Sequence, residues 1–168
     1  MLITIRKATP KDAYDWAVCS ISCWQSAYRD IYPDAIMDNI PLEKEQRIEK
    51  YKKSLAAPGD IEYYSVLHAE QMIGFLIIEP THSEIYAIYL LEEFWGKGYG
   101  KEIMDFAVNK LSRTNPNEIS LWVFEKNTRA RRFYEKYGFT HDGSKKQSNR
   151  YGVPLEELRY VLPCKNVK

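Results

Sequence analysis

The chain has 168 residues, 45% of them apolar and 28% charged, which is the composition of an ordinary globular domain with a hydrophobic core. Its 24 basic and 23 acidic residues nearly balance, so charge gives no reason to expect nucleic acid or an anionic membrane as a partner. Because its three cysteines include no C-x-x-C pair, and because neither a leader sequence nor an apolar run of membrane-spanning length is recognised, we expect a cytoplasmic protein without a metal.

The first third of the chain predicts one strand followed by helices. The run Leu2 to Lys7 is typical of a strand. The pair Thr9-Pro10 then predicts the start of a helix, because threonine is a good cap and proline suits the first helical turn. Helical spacing of apolar residues continues to Tyr28. The segment Asp34 to Leu55 predicts one short and one longer helix, separated at Pro41.

The rest of the chain predicts strands that alternate with two helices. A hairpin is expected from Tyr63 to Glu79, with its turn at Ala69 to Gln71. Further strand-like runs are Glu84 to Leu91, Ile119 to Phe124, a possible short one at Ser144 to Asn149, and Leu155 to Leu162. The two helices follow the strands Glu84 to Leu91 and Ile119 to Phe124. This order predicts an α/β (α+β) fold built on one sheet.

A glycine-rich segment, Trp95 to Lys101, stands between a predicted strand and a predicted helix that runs from Glu102 to Leu111. Glycines in such a turn let the backbone approach an anion, and the first turn of a helix has unpaired N–H groups, so the segment predicts a phosphate cradle. The spacing does not fit a dinucleotide fingerprint, because Lys101 stands where the third glycine belongs. It does not fit a Walker loop either, because Glu102 follows Lys101.

A second motif runs from Asn127 to Phe139. Four of its residues share one face of a helix, at the spacing i, i+3, i+4 and i+7: Ala130, Phe133, Tyr134 and Tyr137. Asn127 is placed to cap this helix, and Gly138 is placed to end it. The segment therefore predicts a short amphipathic helix.

Together the two motifs resemble those of the GNAT superfamily of acyl-CoA-dependent N-acetyltransferases. The first motif of that family reads Q/R-x-x-G-x-G/A, which Trp95 to Gly100 matches except at its opening position. The second reads N-x-x-A-x-x-F-Y-E-K-x-G-F, which Asn127 to Phe139 matches throughout. The resemblance implies one N-acetyltransferase domain over residues 1–168, with a central, mixed, mostly antiparallel sheet flanked by helices. It also implies acetyl-CoA as the co-substrate, wedged where two neighbouring strands splay apart.

The resemblance implies two kinds of cofactor contact. A bulge in the fourth strand exposes backbone to the pantetheine arm, and backbone amides of the glycine-rich turn hold the pyrophosphate. Trp95 replaces the Arg or Gln of the family pattern, but the donors of such a cradle are mainly backbone amides. The implied cofactor residues are Ile88, Tyr89, Leu90, Trp95, Gly96, Lys97, Gly98, Tyr99, Gly100, Lys101 and Asn127.

The resemblance also implies the catalytic groups. Tyr134 occupies the family position that returns a proton to the departing CoA thiolate; an aromatic residue of the core is the open alternative. Glu84, eleven residues before Trp95, occupies the position of the glutamate base in histone-acetylating members, and a solvated carboxylate at a strand end is the open alternative. Other candidates for the amine site or the base are Tyr86, Tyr89, His82 and His141.

The acceptor is expected to be a primary amine, and a small molecule such as a polyamine is favoured. Substrate identity is expected to depend on residues 24–40 and 143–153, and the acidic residues Asp30, Asp34 and Asp38 favour a polyamine unless they only solvate a helix face. Direct transfer is expected, because Cys19 and Cys23 lie away from both motifs. A protein acetyltransferase of the ribosomal-protein amino-terminal type and a non-catalytic acetyl-CoA sensor remain alternatives, and a homodimer is possible.

Overall fold

A computed structural model describes residues 3–164; Leu2, with which the first predicted strand begins, lies outside them. The helices are α1 (Ala13–Tyr28), α2 (Asp34–Asn39), α3 (Lys44–Ala56), α4 (Tyr99–Ser112) and α5 (Thr128–Tyr137). The strands are β1 (Thr4–Lys7), β2 (Glu62–His68), β3 (Gln71–Glu79), β4 (Glu84–Leu90), β5 (Glu118–Phe124), β6 (Thr140–Ser148) and β7 (Leu155–Pro163).

The seven strands form one sheet in the order β1-β2-β3-β4-β5-β7-β6. Every neighbouring pair is antiparallel except β4 and β5, which are parallel. The predicted fold, a mixed and mostly antiparallel sheet flanked by helices, is therefore confirmed. Within the hairpin β2–β3, Ala69 and Glu70 form the turn with positive φ angles of 47° and 67°, as a two-residue hairpin loop requires.

The parallel strands β4 and β5 pair at only two positions, at the start of β4. Glu84 pairs with Ser120 and Ile85 with Leu121, and no later residue of either strand continues the ladder in the described part of the chain. The two strands therefore separate toward their carboxyl ends. The backbone groups of Ile88 to Leu90 on this side are left without a strand partner.

Tyr86 forms a bulge in β4. The register between β3 and β4 shifts between Ile77 and Ile78, which leaves Tyr86 as an extra residue between Ile85 and Ala87. An extra residue reverses the alternation of side chains along a strand. After the bulge, side chains at even-numbered positions of β4 are on the face that odd-numbered positions occupy before it.

The bulge lies two residues before Ile88 to Leu90, the positions to which the resemblance assigns it. Its effect on those positions is visible in the packing. Ile88 and Leu90 contact the core beneath α4, whereas Ala87, Tyr89 and Leu91 contact the residues beneath α1. The side chains of β3 divide in the same way: Leu76 packs in the core beneath α4 and Phe75 packs beneath α1. Helices α1 and α4 therefore lie on opposite faces of the sheet.

Gly74 in β3 permits the close approach of β4. A Cβ atom at Gly74 would lie 2.3 Å from the carbonyl oxygen of Tyr89, far inside the distance that real Cβ contacts allow. No other residue type fits at Gly74 unless β4 moves. The absence of a side chain at Gly74 therefore allows β4 to lie as it does at the opening between β4 and β5.

Two elements differ from their sequence-based expectation. The helix expected from Glu102 begins at Tyr99, because Gly98 takes a left-handed conformation and ends the preceding loop. The possible short strand at residues 144–149 is the longer β6, which begins at Thr140 and is interrupted by a register shift between His141 and Lys145. β6 is exposed along almost its whole length, as an edge strand is, so its sequence lacks the apolar alternation that predicts a strand.

Helices of the described region, residues 3–164, include none that is both long enough and apolar enough to cross a lipid bilayer.

Candidate active site

A cavity of about 1050 Å³ lies where β4 and β5 separate. Residues from both faces of the sheet line it, including Cys23 and Tyr28 from α1 and Gly100 and Ile103 from α4. Because α1 and α4 lie on opposite faces, the cavity passes through the sheet. We refer to the side of α4 and α5 as the cofactor side, and to the side of α1 as the acceptor side.

The glycine-rich turn forms the start of α4 on the cofactor side. Gly96 and Gly98 have φ angles of +71° and +88°, in the region that favours glycine, and a Cβ atom at either would meet no atom within 4 Å. The turn is therefore open on its outer side. The first N–H groups of α4, from Gly98 to Gly100, have no acceptor within the helix, and the positive end of the helix dipole adds to them. A pyrophosphate fits this turn.

Most of the residues for which the resemblance implies a cofactor contact line the cavity: Ile88, Tyr89, Leu90, Trp95, Gly96, Gly98, Gly100, Lys101 and Asn127. Lys97 and Tyr99 do not. The Lys97 Nζ atom lies 5.4 Å from the centroid of the Phe94 ring, and the Tyr99 side chain is buried against Phe94 and His68. Their side chains are therefore not available to the cavity, and cofactor contacts by their backbone amides stay predictions.

Trp95 joins three parts of the cavity wall. Its indole N–H donates a hydrogen bond of 2.7 Å to the carbonyl oxygen of Leu90, at the end of β4. The guanidinium carbon of Arg129, from α5, lies 3.1 Å from the centroid of a Trp95 ring. Burial lowers the pKa of Arg129, yet a guanidinium remains charged at any ordinary pH. The Trp95 position, where the family pattern has Arg or Gln, thus carries a cation supplied from another helix.

Asn127 and Tyr134 lie where the second motif predicts. The Asn127 side chain accepts a hydrogen bond of 3.1 Å from the Ala130 N–H and so caps α5, while also lining the cavity. Tyr134 is 9% exposed and lines the cavity, and its hydroxyl has no hydrogen-bond partner among residues 3–164. Burial raises the pKa of Tyr134 above its ordinary value, so its phenol stays protonated and can act as a proton donor.

Two tyrosines face Tyr134 from the acceptor side. The hydroxyl oxygens of Tyr28 and Tyr89 lie 2.5 Å apart, and both residues line the cavity. Burial raises the pKa of Tyr89 to about 12, and burial also raises the pKa of Tyr28 well above its usual range. Both hydroxyls are therefore neutral at physiological pH and are able to orient an uncharged amine by hydrogen bonding.

Glu84 is not among the residues that line the cavity, although Tyr86, two residues further along β4, is. Burial raises the pKa of Glu84, and the positive charges of Lys146 and Arg159 act in the opposite direction. A raised pKa suits a general base, but contact with an amine inside the cavity requires a bridging water. The role of Glu84 stays a prediction.

The two histidines considered as alternatives are outside the cavity. His82 Nδ1 shares a hydrogen bond with the Glu79 carboxylate, and His141 Nε2 shares one with the Ser144 carbonyl group. Neither ring lines the cavity. The aspartates that favour a polyamine are also outside it; Asp38 forms an ion pair of 2.7 Å with Arg29 on the surface.

The sequence motifs do not identify several charged residues of the cavity. Arg129 and Lys136 belong to the second motif, but its family pattern specifies no role for Arg129. Arg150 and Glu157 come from the loop after β6 and from β7, and only the folding of β7 beside β5 brings them to the cavity. Four aromatic residues also line the cavity: Trp24, Tyr28, Tyr86 and Tyr89.

A phosphate cradle on one face of the sheet and a chamber of tyrosines on the other suit an enzyme that transfers an acyl group from CoA through the opening between two strands. Comparison with known proteins agrees. The model of the Acetyltransferase (GNAT) family matches residues 22–139. The chain therefore belongs to the GNAT family and is an acetyl-CoA-dependent N-acetyltransferase.

Individual relatives support the same conclusion. A probable N-acetyltransferase of Mycobacterium tuberculosis is 31% identical over 150 residues, which cover 84% of this chain and 82% of the relative. A spermidine N(1)-acetyltransferase of Thermoplasma acidophilum is 24% identical over 143 residues, which cover 83% of this chain and 89% of the relative. The crystal structure of the PaiA N-acetyltransferase of the same organism, in complex with coenzyme A, has the same fold, with a TM-score of 0.70, 23% identity, and coverage of 94% of this chain and 98% of that chain.

Proposed function

We propose that this protein transfers the acetyl group of acetyl-CoA directly to the primary amine of a small molecule. The observation that carries the proposal is the cover on the acceptor side. Tyr32, Met37 and Ile40 are buried and pack with Trp24 of α1 and Leu155 of β7. The segment that contains α2 thus closes the acceptor side against β7, which favours a compact acceptor over an extended peptide.

Acetyl-CoA supplies the acetyl group as an activated thioester. We propose that the open turn at Gly96 to Gly100 and Lys101 hold its pyrophosphate and that Asn127 contacts its pantetheine region. We also propose that the backbone of Ile88 to Leu90, which has no strand partner in β5, pairs with the pantetheine arm. Tyr134 donates a proton to the departing thiolate. Its hydroxyl is available for this because burial keeps it neutral and no described residue engages it.

The acceptor amine must lose a proton before it attacks. Glu84 is the proposed base, acting through a bridging water, because burial raises the pKa of its carboxyl group toward the operating pH. The neutral hydroxyl pair of Tyr28 and Tyr89 then orients the amine toward the thioester. Cys23 lines the cavity, although its sequence position is away from both motifs. No cysteine relay is proposed, because Cys23 is 1% exposed and its hydrogen bond with Cys19, together with burial, raises the pKa of its thiol.

Among small molecules with a primary amine, polyamines are one candidate class of acceptor. The name of the Thermoplasma relative supports them, as do the cavity aromatics, which suit cation–π contact with an ammonium group. The charges of the acceptor side do not favour them, since none of Asp30, Asp34 and Asp38 lines the cavity. A homodimer and a cytoplasmic location stay predictions.

The experiment measures release of free CoA from acetyl-CoA with a panel of diamines, polyamines, amino acids, aminoglycosides and short peptides, and measures acetyl-CoA binding by calorimetry in parallel. Turnover of a small amine with no turnover of peptides supports the proposal. Turnover of peptides alone shows a protein acetyltransferase instead. Binding of acetyl-CoA without turnover of any amine leaves the sensor as the better description.

A further inference from the structure

On the acceptor side, the cavity has one arginine, Arg150, whose positive charge no carboxylate of the described residues neutralises. The carboxylates of the cavity are Asp105 and Glu157. Asp105 is paired with Lys101 at 2.7 Å, and Glu157 lies 3.7 Å from the Nζ atom of Lys146. Arg150, by contrast, makes no ion pair and no side-chain hydrogen bond with any residue in the range 3–164.

Arg150 is held at the acceptor side by its surroundings. Its guanidinium carbon lies 4.7 Å from the centroid of the Trp24 ring, on α1. The next residue, Tyr151, donates a hydrogen bond of 2.9 Å to Glu43 just before α3, with a positive φ of 58°. The loop of Arg150 is exposed, but these two contacts fasten it to the helical layer on the acceptor face, and the guanidinium is partly pre-organised.

Arg47 lies over the same tryptophan as Arg150 but, unlike Arg150, has a carboxylate partner. Arg47 also lies over the Trp24 ring, at 5.7 Å, but its guanidinium pairs with the Glu43 carboxylate at 2.9 Å and does not line the cavity. Two guanidinium groups thus share one aromatic ring, and only one has a carboxylate partner. The unpartnered one is the one that reaches the cavity.

A buried hydroxyl without a hydrogen-bond partner lies behind this wall, outside the lining of the cavity. Tyr32 is 3% exposed, and its hydroxyl has no hydrogen-bond partner in the described structure. Its ring centroid lies 5.7 Å from that of Trp24 and 6.0 Å from that of Tyr151. A buried hydroxyl without a partner is uncommon, but Tyr32 does not line the cavity, so the guanidinium of Arg150 is the donor that an anionic group in the cavity meets.

Arg150 shares the cavity with the proposed reaction centre. Arg150, Tyr89 and Tyr134, the proposed proton donor, all line it. An acceptor that places its amine near Tyr89 therefore extends toward Arg150. A second ammonium at that point meets a guanidinium, whereas an anionic group pairs with it.

We propose that the acceptor carries an anionic group, a carboxylate or a phosphate, in addition to its primary amine, and that Arg150 binds this group. Arg150 is then the residue that selects amino acids or amine phosphates over diamines. This inference rests on the proposed function and specifies its substrate class. A guanidinium suits either anion because its parallel N–H groups match the oxygens of both.

The test uses pairs of amines that differ by one anionic group: lysine and cadaverine, ornithine and putrescine, and phosphoethanolamine and ethanolamine. We expect kcat/KM to be roughly 10- to 100-fold higher for the anionic member of at least one pair, the size of one charged hydrogen-bond interaction. The first two pairs report on a carboxylate and the third on a phosphate. Equal or higher kcat/KM for the member without the anionic group in every pair overturns the inference while leaving the proposed function intact.

The variant Arg150→Gln is expected to remove that preference through KM, with kcat little changed, and Arg150→Lys is expected to restore part of it. The control is Lys145→Gln, which removes one positive charge from β6 next to Glu156 without touching the cavity and keeps the preference. Thermal unfolding and acetyl-CoA affinity, measured for each variant, exclude a general loss of structure. An unchanged preference in Arg150→Gln overturns the assignment of Arg150.

Calorimetry of the same amines with CoA-saturated protein decides the inference even if no amine is acetylated. Tighter binding of the anionic member that Arg150→Gln abolishes supports the inference in the absence of turnover, in which case only the proposed catalytic function fails. Absence of any difference in binding within the pairs overturns the inference.

Discussion

The guanidinium of Arg129 stacks on the indole ring of Trp95, with its carbon 3.1 Å from the ring centroid. The indole in turn donates to the Leu90 carbonyl group at the end of β4. The family pattern has Arg or Gln at this position. Here Trp95 instead holds the guanidinium of Arg129, from α5, next to the cradle.

We expect Trp95 and Arg129 to contribute jointly to acetyl-CoA affinity. Trp95→Leu and Arg129→Gln should each weaken binding, because the first releases the guanidinium and the second removes it. A double-mutant cycle measured by calorimetry should give a coupling energy of about 0.5–2 kcal/mol, the range of a cation–π contact. Additive effects of the two substitutions would show that the stack has no role in binding.

The hydroxyl of Tyr134 is expected to act in catalysis and not in cofactor binding. Tyr134→Phe keeps the packing of the ring and removes the proton donor, so kcat should fall roughly 10²-fold or more while acetyl-CoA affinity stays unchanged. Steady-state kinetics at saturating amine and calorimetry measure the two quantities.

Tyr160→Phe is the matched control for that substitution. Tyr160 is buried beside Tyr134, with ring centroids 6.5 Å apart, but its hydroxyl bonds to Glu135 and Arg131 and does not line the cavity. Loss of its hydroxyl should lower thermal stability slightly and leave kcat near the wild-type value. If kcat of Tyr134→Phe equals that of Tyr160→Phe, Tyr134 is a packing residue only.

Glu84 is expected to determine the acidic limb of the pH profile. A base works only when it is deprotonated, so kcat/KM should fall as pH decreases through the pKa of Glu84. Because burial raises that pKa, the fall should begin at a higher pH than an exposed glutamate would give. Glu84→Gln should lower kcat/KM and remove this limb.

Glu157→Gln is the informative comparison, since Glu157 lines the cavity and Glu84 does not. Paired with Lys146, Glu157 is expected to leave the shape of the profile unchanged when it is replaced. Retention of the acidic limb in Glu84→Gln together with its loss in Glu157→Gln would transfer the role of base to Glu157.

The left-handed conformation of Gly98 should matter more for binding than for folding. Gly98→Ala forces a side chain to adopt a φ of +88°, at a cost of about 1–2 kcal/mol, and puts a methyl group on the open side of the cradle. We expect the Kd for acetyl-CoA to rise by about tenfold or more, since both effects oppose the cradle geometry.

Gly59→Ala separates strain from binding. Gly59 has a φ of +62° in a surface loop, and a Cβ atom there also meets nothing within 4 Å, but the residue is remote from the cavity. Thermal unfolding should show a similar loss of stability in both variants, and calorimetry should show weaker acetyl-CoA binding only in Gly98→Ala. Equal Kd values for the two variants would contradict the role of Gly98 in the cradle.

The sequence alone was sufficient for the local elements and for the family. The turn at Gly96 to Gly100 and the helix capped by Asn127 depend on interactions between residues a few positions apart, so their residue types predict them directly. The periodicity of buried strands was also readable. The bulge at Tyr86 was not placed correctly, because its position depends on the register with β3, and β6 was underestimated because an exposed edge strand carries no apolar alternation.

The acceptor side was decided by tertiary structure. Tyr28 and Tyr89 are 61 positions apart in the chain, and Trp24 and Arg150 are further apart still, so no local pattern reports that they meet. Which charges are neutralised also depends on distant partners: Asp38 is paired on the surface, and Arg150 is left without a carboxylate among the described residues. The sequence thus determined the chemistry of the cofactor turn because that chemistry is local, whereas the charge that faces the acceptor appeared only when the sheet brought separate segments together.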